Sequence, residues 1–275
     1  MPYARAPYYM LAVIGVILVG FWPTYFAVAT TVPWQFHAHG MAASLWVFVV
    51  MLQSWTAHRK TQLPLHRAVG QASLFLFPFL IAGLAAIIDR QSRDFLENEP
   101  FNLAYGPGTM VATMTAMAAY VTVYYRALKY RRKVWVHAGY MLSTPLILFE
   151  SPFGRIMGLY VPYFQVKNPA DFSPVLASIE WAMALELAII AIIWWRVRDR
   201  ANPFLVTAGF IVVEMLAIGF SNYFPVVRQA DVFIGHIPHA AIVLTGFAIG
   251  AETSWAGWNA GKQPAVAAKV AAQPA

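Results

Sequence analysis

The chain contains no cysteine. This excludes disulfides, thiolate-held iron–sulfur clusters, thiolate zinc sites and a cysteine nucleophile. Charge is also scarce: 11% of the 275 residues are Asp, Glu, Lys or Arg, against about 25% in soluble globular domains. So few charges cannot solvate the surface of an ordinary water-soluble domain. The accompanying 60% hydrophobic content excludes disorder over most of the length. The short alternating segments of a membrane β-barrel are missing too. Long apolar runs remain.

Eight such runs lie near 8–30, 38–57, 68–88, 105–125, 134–150, 175–195, 203–224 and 232–253. A helix needs about 20 mostly apolar residues to cross the hydrocarbon core. The pattern predicts an all-α, polytopic transmembrane helical bundle over 1–258, each segment satisfying its own backbone. The fifth run is the shortest, and Pro145 behind Ser143 and Thr144 predicts a kink whose freed backbone groups the two hydroxyls re-satisfy. Arg5, the first run and Ala27-Val28-Ala29 have the shape of a signal peptide. The length of that run, with Trp22 and Pro23 at its end, favours an uncleaved first span. Residues 259–275 are rich in Ala, Gln and Pro and read as a disordered tail.

The net charge of +7 follows from where the basic residues fall. Arg59, Lys60 and Arg67 follow the second run, Arg126, Lys129, Arg131, Arg132 and Lys133 the fourth, and Arg196, Arg198 and Arg200 the sixth. With Arg5, Lys262 and Lys269 these make 14 of 19 Lys and Arg on one side. The positive-inside rule then puts both termini in the cytoplasm, as an even number of spans requires. Asp89, Asp94, Glu97, Glu99, Glu150, Asp171 and Asp231 fall on the other side. Trp34 and Trp181 mark the outer interface; Trp55, Trp135, Trp194, Trp195, Trp255 and Trp258 mark the inner one. The basic balance therefore reports orientation in a lipid bilayer, and no nucleic acid is needed to explain it.

Polar residues inside this frame are the functional candidates. His37 and His39 open the second run and His236 and His239 the eighth, all at the outer face. Residues three apart share a helix face, so His236 and His239 can point together, with Pro238 in the first turn. His37 and His39 are about 200° apart on a helix, so one of them faces any given site. Imidazole ligates transition metals and b-type haem. These four histidines, with Glu150 and Glu180, therefore suggest a haem b, copper, iron or zinc site at the outer face. Polar packing at an interface is the competing reading. His58, His66 and His137 fall at the inner face, where His66 and His137 could hold a second, inner haem.

Glu180, Glu186 and Glu214 lie within the apolar runs, the last two near the midplane. Ionisable groups there mark an interior or a pathway. They suit a proton or cation relay, or alternatively a pair of protonated side chains bonded to each other.

The order His37-Ala38-His39-Gly40, Gln53, Leu65-His66-Arg67 with Gly70, a basic run, His137-Ala138-Gly139-Tyr140-Met141 and Arg155-Ile156 resembles a broad group of uncharacterised bacterial multi-pass membrane proteins. That group has a His-bearing second span and an L-H-R-x-x-G motif leading into the third. The likeness covers roughly 37–156. Group members carry a basic residue after the later histidine, where this chain has Ala138. The resemblance implies an integral protein of the bacterial inner membrane and no particular activity.

Three functions stay open: a membrane redox or electron-transfer protein built on the outer histidines, a proton- or cation-coupled transporter built on Glu186 and Glu214, and an accessory subunit of a membrane complex. Quinone and other membrane proteins are the partners these readings call for.

Overall fold

The computed structural model describes residues 3–262, and every regular element among them is helical. The α-helices run α1 Ala6–Phe21, α2 Trp34–Ala57, α3 Leu63–Leu96, α4 Pro100–Lys129, α5 Val134–Ser143, α6 Glu150–Tyr160, α7 Ser173–Val197, α8 Asn202–Phe220, α9 Pro225–Gly235 and α10 His239–Ala260. Pro7, Pro64, Pro100, Pro174, Pro203 and Pro225 occupy the first or second position of their helices. Proline is favoured there because its missing N–H would have had no partner anyway.

Trp34–Ala57, Lys60–Leu96 and Ser173–Tyr223 are long and apolar enough to cross a membrane; α9 and α10 together make a fourth, bent candidate. The third stretch is a hairpin. Arg198 takes a φ of 48° between α7 and α8, and a Cβ added at Gly219, near the end of α8, would lie 3.6 Å from Glu180 Oε1, near the start of α7.

Helix α3 is the centre of the bundle, packing against α2, α4, α9 and α10. Its seam with α10 is close because α10 presents glycines. A Cβ on Gly246 would stand 2.6 Å from Ala85 Cβ, and one on Gly250 would stand 2.6 Å from Pro78 Cα. Small residues four apart let helix backbones approach in this way where lipid removes the hydrophobic drive for association. On the α2–α4 side, Phe77 and Tyr124 stack at 4.1 Å and Trp46 meets Tyr124 edge-on at 5.1 Å.

The break at Pro145 is present and is sharper than a kink. The chain leaves α5, makes one 3₁₀ turn over Thr144–Leu146 and restarts as α6 at Glu150. Ser143 Oγ donates to the Tyr140 carbonyl at 3.0 Å and Thr144 Oγ1 to the Met141 carbonyl at 2.8 Å. Trp46 Nε1 donates to Thr144 Oγ1 at 2.9 Å, tying the break to α2.

The last apolar run differs from expectation. It does not form one helix over 232–253: α9 ends at Gly235 and α10 starts at His239 after a bend of 104°. Pro238 is the reason, since it has no N–H to extend α9 and disfavours helical geometry at Ile237. Helix α10 continues to Ala260, so residues 259 and 260 are helical rather than part of a tail. Gly261 and Lys262 follow as a turn, and 263–275 of that predicted tail lie outside the described residues.

The helix pairings bring the charged loops to opposite ends. Gln53 meets His66, His137 meets Ala127, Tyr3 meets Arg200 and Arg131 meets Trp258, which gathers the basic loops at one end. Gln35, Asp89, Arg93 and His239 meet at the other, acidic end.

Candidate functional site

At the acidic end the four expected histidines are not brought together. His37 Nδ1 lies 2.9 Å from the Tyr25 hydroxyl. His236, the residue that caps α9, bonds through Nδ1 to the Val232 carbonyl at 2.7 Å. His239 begins α10 and bonds through Nδ1 to Asp89 Oδ2 at 2.5 Å. The bend at Pro238 thus separates His236 and His239, which do not share a helix face. His39 alone turns inward, where its Nδ1 is buried without a partner. Among the described residues, no three His, Asp or Glu side chains are arranged to hold a metal ion.

Asp89 has a part that its place in the sequence did not reveal. It is 0% exposed. Gln35 Nε2 donates to Oδ2 at 3.1 Å and Arg93 Nε to Oδ1 at 2.9 Å. Arg93 also donates from Nη2 to the Ile237 carbonyl at 2.7 Å. One carboxylate therefore joins α2, α3 and the start of α10. Asp89 and Arg93 are four apart on α3, a spacing that could have signalled the pair.

Beside this network lies a cavity of about 550 Å³, lined by His39, Glu150, Arg155 and Glu214 among others. A smaller one of about 220 Å³ adjoins it at His39 and Arg155 and reaches Tyr120. Glu186 is 0% exposed, Glu214 1% and Glu150 8%. Glu150 Oε2 and Glu214 Oε1 have no hydrogen-bond partner. The Glu186 carboxyl lies against the Glu150 main chain, with neither oxygen in good hydrogen-bond geometry. Glu186 and Glu214 are not bonded to each other. Instead, Glu150, Glu186, Glu214 and Tyr120 form one electrostatically linked group from α4, α6, α7 and α8. Glu180 is half-buried beside Gly219.

The basic end holds the largest of these cavities, about 720 Å³, within the roughly 300–1,000 Å³ usual for small-molecule and cofactor sites. His66 at the start of α3 and His137 in α5 both line it. His66 Nδ1 lies 3.2 Å from the Gln53 carbonyl, and Gln53 Nε2 donates back to the His66 carbonyl at 2.8 Å. His137 Nδ1 lies 2.9 Å from the Ala127 carbonyl. A carbonyl only accepts, so each Nδ1 carries the proton and each Nε2 keeps its lone pair. Metal-bound histidines are fixed and oriented in the same manner.

The remaining lining is amphipathic. Val50, Leu128, Met141 and Leu142 give apolar walls, while Arg67 and Arg132 stand at the rim. Among the described residues neither arginine is ion-paired. His58 lines the same cavity and bonds to the Ser54 carbonyl at 2.7 Å.

Comparison with protein-family models, curated proteins and solved structures finds no match to this chain.

Proposed function

We propose that this is an integral redox protein of the bacterial inner membrane that binds one b-type haem between His66 and His137. The observation that carries the reading is the pair of histidines on one large cavity, each with Nδ1 anchored on a main-chain carbonyl and Nε2 free. Two imidazoles are an axial ligand set for haem iron, and a two-histidine site needs no third protein ligand. Apolar walls suit the macrocycle, and Arg67 and Arg132 suit its propionates, since guanidinium groups pair bidentately with carboxylates.

The topology that goes with this reading has eight spans: α1, α2, α3, α4, α5 with α6, α7, α8 and α10. Both termini and the haem lie on the cytoplasmic side, the side with the basic loops. The site lies at the opposite end from the four histidines that open the second and eighth runs.

Spectroscopy of detergent-purified protein, expressed with haem supplied, tests the proposal. The expected result is a low-spin b-type spectrum that sharpens on dithionite reduction and is lost in His66→Ala and His137→Ala. A colourless preparation contradicts it. The transporter reading draws on Glu186 and Glu214, which are buried and face no cation. Proton-coupled uptake into proteoliposomes that is abolished by Glu186→Gln and Glu214→Gln would favour it instead.

A further inference from the structure

The haem reading leaves the acidic-end cavity unused, although buried polar atoms without partners belong to its lining. Buried polar atoms without partners are rare because each forfeits its hydration. Here three of them, His39 Nδ1, Glu150 Oε2 and Glu214 Oε1, belong to residues that line a single 550 Å³ space. Arg155 lines it too. Its Nη1 donates to the Ser151 carbonyl at 2.9 Å and the Ser151 hydroxyl at 2.8 Å, and its guanidinium lies 4.6 Å from the Phe21 ring centroid. Among the described residues, no carboxylate lies within ion-pair distance of Arg155. A fixed cationic donor and unsatisfied acceptors therefore share one chamber, with Phe21, Phe36, Leu84 and Met183 supplying apolar surface.

We infer that this chamber binds a lipid-soluble hydroquinone and takes up the protons released when it is oxidised. One ring oxygen accepts from Arg155, and the hydroxyls donate to His39 and Glu150. Those two groups are acceptors within the chamber, and a hydroquinone is a donor–acceptor molecule with an apolar ring. Oxidation breaks two O–H bonds. His39 and the Glu150 carboxylate take the two protons, and haem bound at the other end would supply a one-electron acceptor, so that two loaded protein molecules would take the two electrons and leave the quinone.

The smaller acidic-end cavity and the basic-end cavity approach each other along α4. Tyr120 lines the smaller acidic-end cavity and Tyr124 lines the basic-end cavity. They are four residues apart on α4, a rise of about 6 Å. Phe77 and Trp46 pack on Tyr124.

The electron-transfer step rests on the haem reading, and the binding step does not. Duroquinol binding to the dithionite-reduced protein in detergent, followed by titration calorimetry, tests the chamber whether or not the preparation is coloured. Saturable 1:1 binding is expected, weakened about tenfold in Glu150→Leu and in His39→Leu, each of which loses one hydrogen bond in a buried site. Both variants should keep the wild-type melting temperature within a few degrees. Wild-type binding that is absent, or unchanged in both variants, overturns the proposal. For the coloured protein, one duroquinol should reduce two haems, and the same variants should slow this while dithionite still gives the full reduced spectrum. A haem spectrum without duroquinol binding refutes the chamber alone; duroquinol binding to colourless protein refutes the haem alone.

Discussion

Asp89 Oδ2 and His239 Nδ1 lie 2.5 Å apart although 150 residues separate them in the chain. Because Gln35 and Arg93 bind the same carboxylate, three helices converge on one buried charge. Removing the charge leaves Arg93 uncompensated. Asp89→Asn is expected to destabilise the protein by about 2–4 kcal/mol. Thermal melting in detergent should show this as a lower midpoint, and an unchanged midpoint would mean the convergence contributes nothing.

The seam between α3 and α10 gives a second test. Gly246→Ala puts a methyl 2.6 Å from Ala85 Cβ and 3.0 Å from the Ile81 carbonyl. Overpacking of this kind costs about 1–3 kcal/mol. Gly15, in α1, has nothing within 4 Å of an added Cβ. Gly15→Ala should therefore be neutral or slightly stabilising, and parallel melts of the two variants separate packing from helix propensity.

Trp46 and Thr144 provide a third. Thr144→Val keeps the shape of the side chain but leaves the buried Trp46 Nε1–H without its acceptor. The expected cost is about 1–3 kcal/mol. Trp46→Phe in the same background should recover part of the loss, because it removes the unsatisfied donor. No recovery would show that the hydrogen bond is not what the valine disturbs.

Much of this architecture can be read from residue order, and the reasons differ by feature. The separation of basic from acidic loops follows from composition, and it reappears as the two ends of the bundle. The break at Pro145 is equally local, since the missing N–H and the neighbouring hydroxyls lie within three residues. The partnerships are not local. His236 and His239 sit at helical spacing, but Pro238 turns the chain between them. Asp89 reads as an outer-loop charge until α2 and α10 close over it. His66 and His137 look like interfacial histidines because their shared cavity exists only once α5 packs back on α4 and the α2–α3 turn lies beside it.

The rim of the basic-end cavity yields a further expectation. If propionates sit against Arg67 and Arg132, those positive charges favour the reduced iron. Arg67→Gln and Arg132→Gln should each lower the midpoint potential, by about 40 mV per roughly 1 kcal/mol of lost interaction. Potentiometric titration reads the shift. A rise, or no change in either variant, would place the ligand's acidic groups elsewhere.

The most direct test of the central claim is the reduced-minus-oxidised absorption spectrum of the purified protein beside His137→Ala. A low-spin b-type spectrum in the wild type, lost in the variant while the protein stays folded, is the expected result. A wild type without haem, or a spectrum that His137→Ala leaves intact, would contradict it.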